Sequence, residues 1–579
     1  MSTSALIRPI IDLNGLWDFS FLGAFDPAEF SPASFAPADL MPVPAAFDAL
    51  TPYAGKRGLA VYRRFVEVPS GQPAKIVFGA VSIWARVFVD GRAVADHGCG
   101  YAPFEVDIAP SGSSRREVLV LVDNRFNRER APMHEEFFDF YQHGGIIRDV
   151  HLHVLPAAGA WIDSIHVLPT SSYRDGSVEV SVRFRGQVGG SARLMVSFDG
   201  GAWQTLRDHA VRDDQVVFSA TVPDAHLWTL ETPRLHTVSV TLLDPSGVKT
   251  DAMQARFGLR RIEARAGALW LNGKKLVLRG YNRHEWHPNF GPSTPVLQMA
   301  SDLRLLRDLG CNFVRGSHYP QDQRFLDLCD ELGMLVWEEN LGWGQHAATF
   351  ALPKFQADHA AAMRAMVRAS FNHPCVIIWG FLNETETDTD AVRPIMEESV
   401  RLLRSLDPSR LISYASRVAL TDRHYDLVDL IAINIYPGWY DCEGVENPLS
   451  LIRPHMHACF AHIDRAGFAD KPVIVGEIGA EALYGWRDPH DDFFSEEHQA
   501  RYLSEAISSA LEHPRCSGIA LWHFSDVRTY GGGRSLRRPR TFNNKGTLDE
   551  YRRPKAAYAA VKALFQAHAA GQGKPRPAN

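Results

Sequence analysis

From about residue 259 the chain alternates apolar, strand-like runs with longer amphipathic stretches, and the alternation repeats eight times. The runs fall at 276–281, 311–315, 334–338, 375–382, 410–414, 428–434, 472–477 and 518–523. Eight strand–helix units in about 320 residues fit a closed (β/α)8 barrel. The competing architecture, an open doubly wound sheet, needs a glycine-rich phosphate loop after its first strand. Here that position reads Tyr-Asn-Arg-His-Glu-Trp-His from Tyr281 to His287. Helix signals lie between the runs. Thr294 reads as an N-cap with Pro295 in the first turn, Met299, Leu303 and Leu306 share a face, and Gly310 is the stop. Residues 322–332, stopped by Gly333, repeat the device.

The preceding half reads as all-β. Short alternating runs occur at 75–78, 84–89, 117–122, 177–184, 192–198, 216–222 and 237–243. Asp90-Gly91 and Asp199-Gly200-Gly201 supply hairpin turns. This spacing predicts sandwiches. A break at Pro156 to Gly159 separates two of them, so the expected domains are residues 1–158, 159–258 and 259–579.

Composition narrows the function. Acidic residues exceed basic ones by 67 to 61, a net charge of −6, which leaves no overall cationic field for nucleic acid or anionic lipid. No apolar run approaches the ~20 residues of a membrane helix. The seven cysteines, among them Cys311, Cys329, Cys375 and Cys516, show no paired spacing and read as reduced core residues. Met1 is followed by no basic-then-apolar leader, so a cytoplasmic protein is expected. The Ala567–Asn579 tail is expected to fray.

Barrel enzymes carry their reactive groups at the carboxyl ends of the strands. Those ends here hold Ser317-His318-Tyr319, Glu338-Glu339-Asn340, Asn383-Glu384, Asn434-Ile435-Tyr436, Glu477 and Trp522-His523. Carboxylates, amides and aromatic faces suit glycoside chemistry, in which two carboxyls flank the scissile bond. Glu384 and Glu477 are the preferred catalytic pair, on strands three apart around the ring. Glu338 and Glu339 have the same positional claim, and periodicity does not rank the four. The aromatic-apolar strand before Glu384 favours a protonated carboxyl. The histidines at 284 and 287 lack the i,i+4 spacing of a helical zinc motif, so no metal or cofactor is expected. The loop after the last run is basic, with Arg528, Arg534, Arg537, Arg538, Arg540 and Lys545. It would attract an anionic substrate. On charge alone a solvated face or an oligomer contact is the better explanation.

At these residues the chain resembles glycoside hydrolase family 2, and within it the β-glucuronidases. The resemblance rests on Leu13 to Phe19, Tyr53-Ala-Gly55, Phe257 to Arg260, Leu271-Asn-Gly273, Gly280 to Glu285, Asn312 to Pro320, Asn372-His-Pro374, Trp379 to Glu384 and Gly476 to Gly479. It implies an N-terminal jelly roll, an immunoglobulin-like sandwich and a TIM barrel. It assigns Glu384 as acid/base and Glu477 as nucleophile, selects them over Glu338 and Glu339, and implies retention through a covalent glycosyl-enzyme. Asn543-Asn-Lys545-Gly matches the family's Asn-x-Lys-Gly signature for a sugar carboxylate. By position, Asp139, His318, Asn383, Asn434, Tyr436, Tyr440 and Trp522 are implied to line the sugar site. The substrate implied is a small-molecule or oligosaccharide β-uronide, and the assembly a dimer or tetramer. There are departures. Pro539, flanked by Arg538 and Arg540, stands where glucuronidases often carry Arg, which leaves room for β-galacturonides. Gly476 and Ile478 replace the Thr and Tyr common around the nucleophile, leaving Tyr436 to tune it alone. The rival readings are a β-galactosidase or β-mannosidase on the same scaffold, and a non-catalytic carbohydrate-binding protein.

Overall fold

The computed structural model describes residues 8–136, 139–157, 159–186, 191–211, 213–530 and 538–571. Arg534 and Arg537 of the basic loop and the last eight residues of the tail lie outside them. The chain divides into two compact units. The first comprises residues 1–131, 143–261 and 365–374. The second comprises residues 132–142, 262–364 and 375–579.

The first unit is built mainly from antiparallel sheets. One sandwich sets a six-stranded sheet, running from Asp39–Val43 at one edge to Arg92–His97 at the other, against a four-stranded sheet of Ile10–Asp12, Val150–Val154, Ala74–Phe78 and Phe104–Ile108. Strand side chains alternate between faces. In Arg115–Asp123, Val118, Val120 and Val122 enter the main core, whereas Leu119 and Leu121 join a second cluster with Trp84 and Phe88. The run is apolar at both parities because the strand is covered on both sides. A second sandwich pairs a three-stranded sheet, Ala160–Pro169, Ser177–Gly186 and Gln215–Thr221, with a four-stranded one that includes Ser191–Phe198 and His236–Leu243. Both hairpin turns form as expected, with positive φ at Asp90, Gly91, Asp199 and Gly200.

The second unit holds a closed parallel barrel. Its strands are β1 (Leu278–Asn282), β2 (Phe313–Gly316), β3 (Leu335–Glu339), β4 (Val376–Asn383), β5 (Leu411–Ser416), β6 (Ile431–Asn434), β7 (Val473–Glu477) and β8 (Cys516–Leu521). All eight coincide with the runs read from the sequence. β8 closes on β1 with Leu278 opposite Gly518 and Tyr281 opposite Leu521. Every residue of β4 is buried, the pattern of a parallel strand covered on both faces.

Helix α1 (Val296–Asp308) follows β1, and α2 (Gln323–Leu332) follows β2. For α2 the cap is as expected: Asp322 accepts from the Arg324 amide at 2.9 Å, and Gly333 ends the helix with φ of 70°. The α1 cap differs. Pro295 itself is extended, with ψ of 156°, so the helix begins one residue later, the cap position falls on Pro295 and no side chain caps the helix. The Thr294 hydroxyl is buried without a partner among the described residues. The tail also differs. A final helix, Ala556–Ala569, runs past the expected point of fraying, because its alanines favour helix and Val561 and Phe565 are fully buried. No described helix is long and apolar enough to cross a membrane. All seven cysteines are buried and free.

Candidate active site

A cavity of about 1190 Å³ opens at the carboxyl ends of the barrel strands. Seven of the eleven site residues expected from the sequence line it: Asp139, Glu384, Asn434, Tyr436, Tyr440, Glu477 and Trp522. Four stand one layer behind, each touching a wall residue. His318 stacks on Trp522 with ring centroids 5.1 Å apart. The side-chain oxygen of Asn383 accepts from Asn434 at 3.1 Å. Asn543 donates to Asp139 at 3.1 Å, and the Lys545 ammonium donates to the Tyr440 hydroxyl at 2.8 Å.

Glu477 ends β7 and Glu384 follows β4. Gly479 lets the chain after Glu477 pass tightly against β8, since a Cβ there would lie 2.0 Å from the Trp522 carbonyl oxygen. Beneath both carboxyls lies Arg315, on β2, wholly buried. Its guanidinium donates to Glu477 at 2.8 Å, Glu339 at 2.7 Å, Asn383 at 2.7 Å and Asn282 at 3.0 Å. The sequence reading did not single out this residue. Its signal was a charge inside an apolar strand, which is stable only with buried acids around it.

The donors decide which acid holds the proton. Burial pushes both carboxyls up, and for Glu477 the neighbouring Glu384 charge adds to the rise. One negative charge is tolerated there and two are not. Glu477 receives Arg315 on one oxygen and the Tyr436 hydroxyl on the other, at 2.7 Å. Among the described residues Glu384 receives one donor, the Asn434 amide at 2.9 Å. Burial and the neighbouring Glu384 charge push Glu477 up to about 8; with two donors against one, Glu477 is nevertheless the better placed of the two to carry the single charge. Once Glu384 is neutral, its repulsion of Glu477 is gone. Tyr436 does not tune Glu477 alone, as the sequence suggested, because Arg315 shares the task. Burial and the two nearby acids keep the Tyr436 phenol protonated.

Glu339 serves as counter-charge. Burial alone would raise its carboxyl, but Arg315 and His318 hold it below the ordinary range. The His318 Nδ1 lies 2.9 Å from Glu339. Burial lowers this imidazole to about 4, so it is neutral, and with Nδ1–H donating to Glu339 its Nε2 is an acceptor. The Nδ2 of Asn383 and the Oδ1 of Asn434 are buried without partners among the described residues.

At the β8 side two cations and two acids interlock. Arg538 is part of the cavity wall and donates to Asp139 at 2.5 and 2.9 Å, to Tyr440 at 3.0 Å, and to Glu481. Lys545 bonds Glu481 at 3.2 Å. Arg540 faces Glu550 at 3.0 Å and Asn544 at 3.1 Å, away from this cluster. Of the two arginines flanking Pro539, Arg538 thus belongs to the site. Glu481, four residues beyond the nucleophile position, was also missed.

A buried carboxyl pair over a barrel mouth, in a pocket that tolerates a single negative charge between them, is the equipment of a glycoside hydrolase. Family models agree along the chain. Residues 10–156 match the glycosyl hydrolases family 2 sugar binding domain, 160–260 the glycosyl hydrolases family 2 model, and 262–569 its TIM barrel domain. The chain belongs to glycosyl hydrolases family 2. A β-galacturonidase from Eisenbergiella tayi, solved with galacturonate bound, is 33% identical with a TM-score of 0.87, covering 98% of this chain and 99% of that one. The Bifidobacterium dentium β-glucuronidase, solved with coumarin-3-O-glucuronide, is 26% identical with a TM-score of 0.85, covering 98% of each chain. The Streptococcus agalactiae β-glucuronidase is 27% identical over 96% of each chain.

Proposed function

We propose that this protein is a retaining, exo-acting β-glucuronidase. The observation that carries the reading is the Arg538–Lys545 pair beside the two carboxyls. In the first step the Glu477 carboxylate attacks the anomeric carbon while Glu384 protonates the departing oxygen, and the glycosidic bond breaks. In the second step Glu384, now a carboxylate, takes a proton from water. The water oxygen bonds the anomeric carbon and the glycosyl ester to Glu477 opens. The unpartnered Asn383 Nδ2 suits the sugar 2-hydroxyl, and His318 Nε2 can accept from a neighbouring hydroxyl.

The sugar carboxylate would lie against Arg538, Asn543, Lys545 and Tyr440. Arg538 and Lys545 balance Asp139 and Glu481, so an arriving carboxylate needs a freed donor. Asp139 provides one by turning from Arg538 to accept from a sugar hydroxyl. The Tyr440 oxygen already accepts from both cations. Its own hydrogen is therefore free to donate into the cavity. Lys545 keeps one N–H beyond its two bonds.

A second reading, β-galacturonide hydrolysis, is favoured by the 33% identity to the Eisenbergiella tayi enzyme, against 26–27% for the β-glucuronidases above. The two sugars differ only at C4. The test is a panel of 4-nitrophenyl β-glycosides. Glucuronide or galacturonide should be cleaved at least 10⁴-fold better, in kcat/KM, than the neutral glucoside, galactoside or mannoside, the order expected when a buried polar site loses its partner. Comparable cleavage of a neutral glycoside would refute the uronide assignment. We further propose a division at residues 158 and 258, a cytoplasmic location supported by the seven free cysteines, and a homo-oligomer with no nucleic-acid or membrane partner.

A further inference from the structure

The two walls of the cavity carry different equipment. Trp522 and Arg538 on the wall, with Asn543 and Lys545 one layer behind them, come from the end of β8 and the chain beyond it. Glu384, which protonates the departing oxygen, comes from β4, four strands away in a ring of eight. The leaving group therefore departs along the β4–β5 wall. That wall holds Trp343 and Arg417. The Trp343 backbone is bridged to Asn383, beside Glu384. Arg417 is the first residue after β5.

Arg417 differs from the other arginines of the cavity. Arg538 and, beneath the floor, Arg315 are each locked by buried acids. Arg417 is exposed, lines the cavity, and forms no hydrogen bond or ion pair among the described residues. Nearby acids do not claim it. Glu386 is occupied by the Ala347 amide and His346, each at 3.0 Å. Glu384 is held by Asn434 and, in the mechanism proposed above, carries the proton before reaction. Arg417 is close enough for its charge to lower the Glu384 carboxyl, against the larger rise from burial. The cavity lining also includes Asp441 and His455, from the chain after β6. Burial lowers the His455 imidazole below its ordinary value.

A guanidinium presents a planar fork that suits carboxylate and sulfate, and an indole face packs against a sugar or aryl ring. We propose that Arg417 and Trp343 form an aglycone subsite selective for anionic leaving groups, a ring bearing a carboxylate or sulfate. The natural substrate is then doubly anionic, with one acid on each wall. This inference rests on the uronidase reading above.

The test compares 4-nitrophenyl uronide with an aryl uronide of matched leaving-group pKa that carries a sulfonate or a carboxylate on the aglycone ring. The measured quantity is the ratio of kcat/KM, charged over neutral aglycone. The wild-type enzyme should favour the charged aglycone by about tenfold at low salt, as for one charge-assisted contact at an exposed site, and less at high salt. Arg417→Gln should bring the ratio near one, Arg417→Lys should restore part of it, and Arg417→Glu should drop it below one. A wild-type ratio near one, or a ratio unmoved by Arg417→Gln and Arg417→Glu, overturns the subsite while leaving the uronidase reading intact. Failure to cleave either neutral-aglycone uronide overturns that reading and the subsite with it. Sulfonate and carboxylate arms separate the two anion types.

Discussion

Replacing Tyr436 with Phe removes one oxygen and leaves the ring in place. The lost contact is the 2.7 Å hydroxyl donation to Glu477 Oε2. A hydrogen bond to a charged group contributes about 1.5–3 kcal/mol. At about 1.36 kcal/mol per pKa unit that corresponds to roughly 1–2 units. Glu477 also faces the cavity, so water can replace part of the donation, and about one unit is the working value. The sign follows from which form is stabilised. The hydroxyl donates to the carboxylate, so its loss raises the Glu477 pKa, and less of the nucleophile is ionised at low pH. The acid limb of kcat/KM against pH, measured with 4-nitrophenyl uronide, should move up by about one unit. The limiting rate should also fall by about 10–100-fold, because the same hydroxyl stabilises Glu477 as the glycosyl ester opens. An acid limb that stays in place while the rate falls would refute the argument, since Tyr436 would then act on the sugar and not on the acid.

Other outcomes follow from the same contacts. Glu384→Ala should lower turnover of 4-nitrophenyl uronide by about 10²–10⁴-fold and abolish the alkaline limb, which is set by a carboxyl that burial raises; a surviving alkaline limb would assign it elsewhere. Lys545→Ala should cost uronide kcat/KM about 10–100-fold and leave any glucoside cleavage within about threefold; equal losses would detach the ammonium from the sugar carboxylate. The fold should survive that change, since Glu481 keeps Arg538. In the first unit, Asp251 is wholly buried against Arg8 and also accepts from the Ile162 amide at 2.7 Å. Asp251→Ala strands a buried guanidinium and should cost about 3–5 kcal/mol in a denaturant melt; a loss below about 1 kcal/mol would show that water reaches Arg8.

The barrel was legible because its strands are buried on both faces. A run such as residues 375–382 has no polar parity to confuse with a helix, and its carboxyl end marks where chemistry can sit. Glu384 and Glu477 followed from position, and the family resemblance separated them from Glu338 and Glu339. What stayed hidden is carried by pairings between distant parts of the chain. Arg315 lies 162 residues from Glu477 and 68 from Asn383, so the run ending at residue 315 showed only a strand terminus. Arg538 and Glu481 are 57 residues apart, and each alone reads as a surface charge. Local pattern reports which face a residue occupies. It does not report which acid shares that face with which base.

The segment 132–142 connects two stretches of the first unit, yet it is packed with the second. It delivers Asp139 to Arg538 across 399 residues of sequence. A barrel excised at residue 262 would lose this finger and hold two cations against one acid. Such a fragment would inherit both catalytic carboxyls with a sugar socket carrying an extra positive charge, and grafting the barrel onto a foreign amino-terminal half would require transplanting those eleven residues with it.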